Sequence, residues 1–364
     1  MAQAGGLEPR APRGRDHGMT SRRRYLVRYL VGVAAALAFA SCATGGGHTA
    51  RGPVATSSSG TMSSGSSGSG GTQVVATLDV SSPNQAVITQ TGMWLLGGPS
   101  GVITRVDPAS NTVTDVVTTP YPVGFGTYAP PFLWVASFMN DVVMQLDSET
   151  GQVLRTIKRS SSAPWDGPVG LVSTGRDLWV VNHNSATLVR LDPVTGAVKG
   201  TTQLPGDKPA GPFIAAGSLW IAMTMSNVVV RVDPTTGQID GAPVQLDTGA
   251  CAASSAAGGA LWYTSSDIEE FGCHDGTRRL DPRTEAISPI DYGTGLSTFA
   301  DLGSEVWASD RDHTLYRVDV ATGTLEPTLT LDGGAASNRL IDAFGSLWVL
   351  RTEINQLVRI EPGS

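Results

Sequence analysis

Apolar residues along this chain gather in short alternating runs, and turn-forming residues separate one run from the next. Residues 168–203 show the unit. Pro168–Ser173 predicts a first strand, Asp177–Asn182 a second, Thr187–Leu191 a third and Ala197–Gln203 a fourth. In the second, Leu178 and Val180 share one face while Trp179 and Val181 share the other, because successive side chains of a strand point to opposite sides. Both faces are apolar, so both need cover. The unit recurs. Met93-Trp94, Leu133-Trp134, Leu178-Trp179, Leu219-Trp220, Leu261-Trp262, Val306-Trp307 and Leu347-Trp348 stand 40, 45, 41, 42, 45 and 41 residues apart. A second signature follows each one, from Arg105-Val106-Asp107 to Arg359-Ile360-Glu361, and five of the seven Trp-to-acid gaps are 13 residues. A repeat of this period predicts one four-stranded blade per copy, since such a sheet buries both faces only between two neighbours. The fold class is therefore all-β, a seven-bladed β-propeller.

The turns between third and fourth strands carry a shared chemistry. Asp192-Pro193-Val194-Thr195-Gly196, Asp233-Pro234-Thr235-Thr236-Gly237 and Asp319-Val320-Ala321-Thr322-Gly323 place Asp where it accepts from the following amides and Gly where the left-handed conformation falls. These acids read as turn formers rather than ligands, and the seven repeat tryptophans as core. The last repeat stops at Glu361-Pro362-Gly363-Ser364, without a fourth strand, while Gln73–Val80 forms an unassigned strand before the first blade. Blade seven is then completed by the N-terminal strand, which removes an exposed edge.

Residues 72–364 make this propeller, and what precedes them changes the picture of where it works. Residues 1–41 read as a signal peptide. Arg22-Arg23-Arg24 precede the apolar stretch Tyr29–Ala40, and small residues lead to Cys42. Twelve uncharged residues fall short of the roughly 20 that a spanning helix needs. Cys42 after Ala40-Ser41 resembles a bacterial lipobox, so Cys42 is the expected lipidation site. The other reading is plain cleavage near Ala40, giving a secreted protein. Ser21–Leu26 also resembles a twin-arginine export motif. Residues 42–71 are rich in Ser, Gly and Thr and read as a disordered tether. Removing residues 1–41 leaves 18 basic and 30 acidic residues, a formal charge of −12. That balance argues against nucleic acid, and against a bilayer except through the lipid at Cys42.

Repeats of the form Gly-x-Leu-Trp-Val and Leu-Val-Arg-Leu-Asp-Pro-x-Thr-Gly, as at 345–349 and 188–196, resemble the bacterial YVTN-type and streptogramin (virginiamycin B) lyase-like propellers. The resemblance covers residues 73–364. It implies the fold and, in the lyases, a metal-assisted acid–base site with His and Glu on neighbouring blades.

The residues themselves do not spell out that site. His183, His274 and His313 lack metal-ligand spacing, and His183 in blade three and Glu353 in blade seven are not on adjacent blades. No cofactor fingerprint or metal site is expected. Residues three after each Trp, namely Gly97, Ser137, Asn182, Met223, Ser265, Asp310 and Arg351, open the loops between second and third strands. Their variety suggests that some face a ligand or the channel, and Asp310 and Arg351 on neighbouring blades could pair. Trp165, His183, Asp310, Arg311, Arg351 and Glu353 are the candidate ligand-binding face. Trp165, in the longest connection, is either a lid over that face or an anchor beneath it. Cys251 and Cys273, both assigned to blade five, are expected to form a disulfide in an exported chain. The functional expectation is a monomeric extracytoplasmic module that binds a protein, peptide or envelope glycan. A lyase or hydrolase acting near the central channel is the alternative.

Overall fold

The computed structural model describes residues 71–246, 249–266, 277–290, 296–310, 312–333 and 338–363, with the side chains of 249–254, 264–266, 297 and 338 left aside. Seven four-stranded antiparallel sheets follow one another along the chain. In blades one to six the strands, here A to D from the inside outward, are hydrogen-bonded in chain order; in blade seven strands A to C are, and D comes from the N-terminus. The specimen repeat has its strands at Pro168–Ser173, Leu178–Asn182, Thr187–Leu191 and Val198–Gln203, within one residue of the sequence-based expectation at each end. Successive A strands touch, and the A strand of blade seven (Asn338–Ala343) touches that of blade one (Gln85–Ile88), which closes the ring.

Closure is by the N-terminal strand, as the truncated last repeat predicts. Gln73–Asp79 pairs antiparallel with Gln356–Glu361 and becomes the outermost strand of blade seven. The core is divided seven ways. Each buried apolar cluster joins two neighbouring blades; one unites Trp94 and Leu96 of blade one with Leu133 and Met144 of blade two, and another Trp348 and Leu350 of blade seven with Met93 and Leu95 of blade one. All seven repeat tryptophans are at most 1% exposed.

The recurring sequence signature has a physical reason. Trp179 pairs across the sheet with Arg190, whose guanidinium lies 5.5 Å from the indole; Arg231, Arg317 and Arg359 sit likewise over Trp220, Trp307 and Trp348. The aspartate two residues after Arg190, Arg231 or Arg317 caps its turn. Asp192 Oδ1 accepts from the amides of Val194 and Thr195 at 3.1 and 2.9 Å, and such bonds hold the carboxyls of Asp147, Asp233 and Asp319 below the usual range. The turn glycine then meets the tryptophan of the preceding blade. A Cβ on Gly151 would lie 2.6 Å from Trp94 Cη2, and one on Gly237 would lie 2.8 Å from Trp179 Cη2. Trp94 and Trp134 also donate to carbonyls of the next blade's turn, Ser148 at 2.7 Å and Pro193 at 3.0 Å. Blades two, three and four thus each lock the one before.

Candidate functional site

The B–C and D–A loops lie at one end of the ring, and the side chains that end the B strands set their shape. Ser137, Asn182, Met223, Asp310 and Arg351 are all buried, at 5% exposure or less. This corrects the expectation that their variety reflects a ligand. Each loop is held from within by a different bond. Ser137 Oγ donates to Asn140 Oδ1 at 2.9 Å. Asn182 donates to Pro164 O and Thr187 Oγ1 and accepts from the Asp166 amide. Asp310 accepts from the Thr314 amide at 2.8 Å and the Tyr316 hydroxyl at 2.7 Å. Arg351 donates to Gly333 O and Gln356 Oε1, and burial lowers its pKa. Asp310 and Arg351 therefore serve their own blades and do not pair.

Across blades two to four these loops join into a continuous rim. Asp141, in a left-handed conformation at φ 51°, accepts from the Gly167 amide at 2.7 Å and from Arg159 at 3.1 Å. Arg159 also reaches Asp166 at 3.2 Å. The His183 and Asn184 amides donate to Gly167 O and Asp166 O. Lys208 donates to Asn184 Oδ1 at 3.2 Å, and the Thr224 and Met225 amides donate to Lys208 O and Asp207 O. Five successive connections are thus stitched together. Outward from the rim stand Asn140, Arg159, Asn184, Asp207 and two apolar side chains, Met139 at 75% exposure and Met225 at 42%.

Of the residues singled out in the sequence, Trp165 is not on this surface. It is fully buried in the cluster joining blades two and three, and its Nε1 donates to Ile157 O at 3.0 Å. The anchor reading holds and the lid reading does not. His183 lies beneath the rim at 9% exposure, with Nδ1 2.9 Å from Pro209 O and its ring edge against Phe138. A carbonyl only accepts, so Nδ1 carries the proton in the neutral ring. Burial, helped by the Lys208 charge, lowers its pKa, with the Pro209 bond opposing. Glu353 is exposed in a 3-10 turn, Thr352–Ile354. Arg311, Cys42 and Cys273 lie outside the described residues, as does the Cys251 side chain, so the disulfide and lipidation expectations stand as they were. The exposed methionines were not singled out. Their one sequence signal is an apolar residue five after Trp in a loop that is otherwise polar.

No protein-family model and no curated protein matches the sequence. Solved structures do. Virginiamycin B lyase from Staphylococcus aureus superposes with a TM-score of 0.65 at 14% identity, over 79% of this chain and 99% of the other. A streptogramin B lyase gives 0.63 at 18% identity, over 78% and 94%. The fold is that of the streptogramin-lyase-like propellers. BamB from Moraxella catarrhalis shares the architecture, with a TM-score of 0.57 at 12% identity over 80% and 99%.

Within this seven-bladed propeller, one His–Glu combination does fall on neighbouring blades. His313 and Glu353 extend from the B–C loops of blades six and seven. Among the described residues no three His, Cys, Asp or Glu side chains come close enough to hold one metal ion. The described donor set does not fit a metal centre.

Proposed function

We propose that this chain is an extracytoplasmic propeller, lipid-anchored at Cys42, that binds a protein, peptide or cell-envelope ligand with the loop face of blades two to four. The observation that carries the reading is Met139 and Met225 standing exposed on a rim whose backbone is bonded at every step. Methionine and arginine are enriched in the buried centres of protein interfaces, and a flexible thioether adapts to varied apolar partners. A rim held rigid in advance also lowers the ordering cost of association. The fold serves both kinds of role, since it occurs in lyases, in BamB and in a chain of a mitotic checkpoint complex. Replacing both methionines, as Met139→Glu with Met225→Glu, is expected to weaken partner binding by about 1–3 kcal/mol while leaving the melting temperature within about 2 °C. Unchanged binding at unchanged stability overturns the reading. The anchor has its own test: Cys42→Ala should release the protein from the membrane fraction.

The lyase reading keeps one specific support, the His313–Glu353 neighbours on the same face. Its test is incubation with a cyclic depsipeptide lactone. Ring opening that His313→Ala abolishes would establish the enzyme, and intact lactone would dismiss it.

A further inference from the structure

The seven inner strands, which line the central channel, hold only three charged residues, and these are sorted by end. Asp301 and Asp342 occupy equivalent positions near the ends of the A strands of blades six and seven, opposite Val306 and Leu347. Both lie toward the A–B hairpins. Arg339 is the second residue of the blade-seven A strand, which starts from the D–A connection and hence from the loop face. Its cross-strand partner is Leu350, a member of the cluster between blades seven and one. Cross-strand partners share a face of the sheet, so Arg339 leaves the backbone on the side of blade one.

At three other junctions, polar side chains of the inner strands hold the next blade. Gln85 exchanges bonds with the Gly126 backbone at 3.0 and 3.2 Å. Ser255 Oγ accepts from the Phe299 amide, and Thr298 Oγ1 from the Leu340 amide. Arg339 holds nothing: no described residue offers it an ion pair or a hydrogen bond. Its side chain is exposed to solvent. The inner strands border the channel, so an exposed side chain at the loop-face end of one stands at the channel mouth. A guanidinium stays charged there, and no described carboxylate answers that charge.

We propose that Arg339 anchors an anion site in the loop-face mouth of the channel, and that the site takes the carboxylate of a peptide or protein ligand. A guanidinium fork matches a carboxylate through two parallel hydrogen bonds. One positive charge balances one carboxylate, whereas a phosphate dianion would keep an uncompensated charge. Arg351 does not supply the second charge. It alternates with Leu350 along its strand, so it faces blade six, and its donors go to Gly333 O and Gln356.

The test is titration of the full chain with N-acetylalanine, with its amide and with inorganic phosphate, followed by ligand-observed NMR. The carboxylate is expected to bind, with the amide and phosphate each weaker by about tenfold or more. Arg339→Gln should reduce carboxylate binding by about tenfold and Arg339→Lys by less, because lysine keeps the charge and loses the fork. Melting curves identify any variant that fails to fold, and the amide and phosphate comparisons on the native chain then decide alone. Equal binding of acid and amide, or undiminished binding by a folded Arg339→Gln, overturns the site. Phosphate binding at least as tight as the carboxylate overturns its assignment. These probes need no natural partner, so failure here leaves the rim reading standing, and failure of the rim leaves this site standing.

Discussion

At the scale of single residues, one contact recurs along the junctions of blades one to four: a tryptophan beneath the turn glycine of the next blade. Gly151 is at φ +69° with Trp94 filling the space a Cβ would need, while Gly217 is at φ +78° with nothing within 4 Å. Gly151→Ala is therefore expected to cost roughly 2–4 kcal/mol and Gly217→Ala about 1, the difference being the clash with the indole. Urea melts of the two variants measure it, and equal losses would refute the lock. Blades five and six depart from the pattern: Glu285, at φ 59°, stands where glycine is expected and pairs with Arg231 of blade four at 3.2 Å, and Gly323 lies against Ile290. Trp220, Trp262 and Trp348 donate to Ala215, Ala257 and Ala343 of their own blades, not to the next turn. Trp165→Ala should cost about 3–5 kcal/mol, as a buried anchor does; the sequence alone allowed a lid, whose loss would be nearly silent. His183 adds a pH dependence. Its folded pKa is lowered, so as pH falls the unfolded chain takes up the proton first. The associated stability is present above about pH 6.5 and is lost below it. The melting temperature should thus drop between about pH 7.5 and 5.5 more in the wild type than in His183→Gln. Equal drops would show that His183 does not sense pH.

At the scale of elements, the strands were legible because their information is local. Alternation, the Asp and Gly of the turns and the missing fourth strand of the last repeat all predict what Gln73–Asp79 does. Deleting residues 73–80 should leave blade seven three-stranded and lower the melting temperature sharply, whereas deleting 43–70 should leave it nearly unchanged. Equal melting of the two deletions would contradict closure by that strand. The loop face was less legible, for a definite reason. Asn182, Asp310 and Arg351 are polar residues in a loop-opening position, and sequence cannot say whether such a group bonds outward to a ligand or inward to a carbonyl. The structure turns all three inward. Conversely, Met139 and Met225 look like strand or core residues by type. Only the position of the rim shows that they are left outside.

At the scale of the whole molecule, the two ends of the ring differ in kind. One end carries the turns that lock blade to blade, built from short Asp-capped loops that repeat with little change. The other carries the stitched rim of blades two to four, with exposed methionines outside and Arg339 at the channel mouth. A molecule that repeats at one end and varies at the other has its specific surface at the varied end. That claim is tested most directly by photo-crosslinking in the producing cell. A photoreactive residue is placed in turn at Met139, Asn184 and Met225 on the rim, and at Val194, Gly217 and Phe344 on the opposite end. The account predicts one shared crosslinked species from the three rim positions and none from the other three. The same species from both ends, or crosslinks from the opposite end alone, would contradict it.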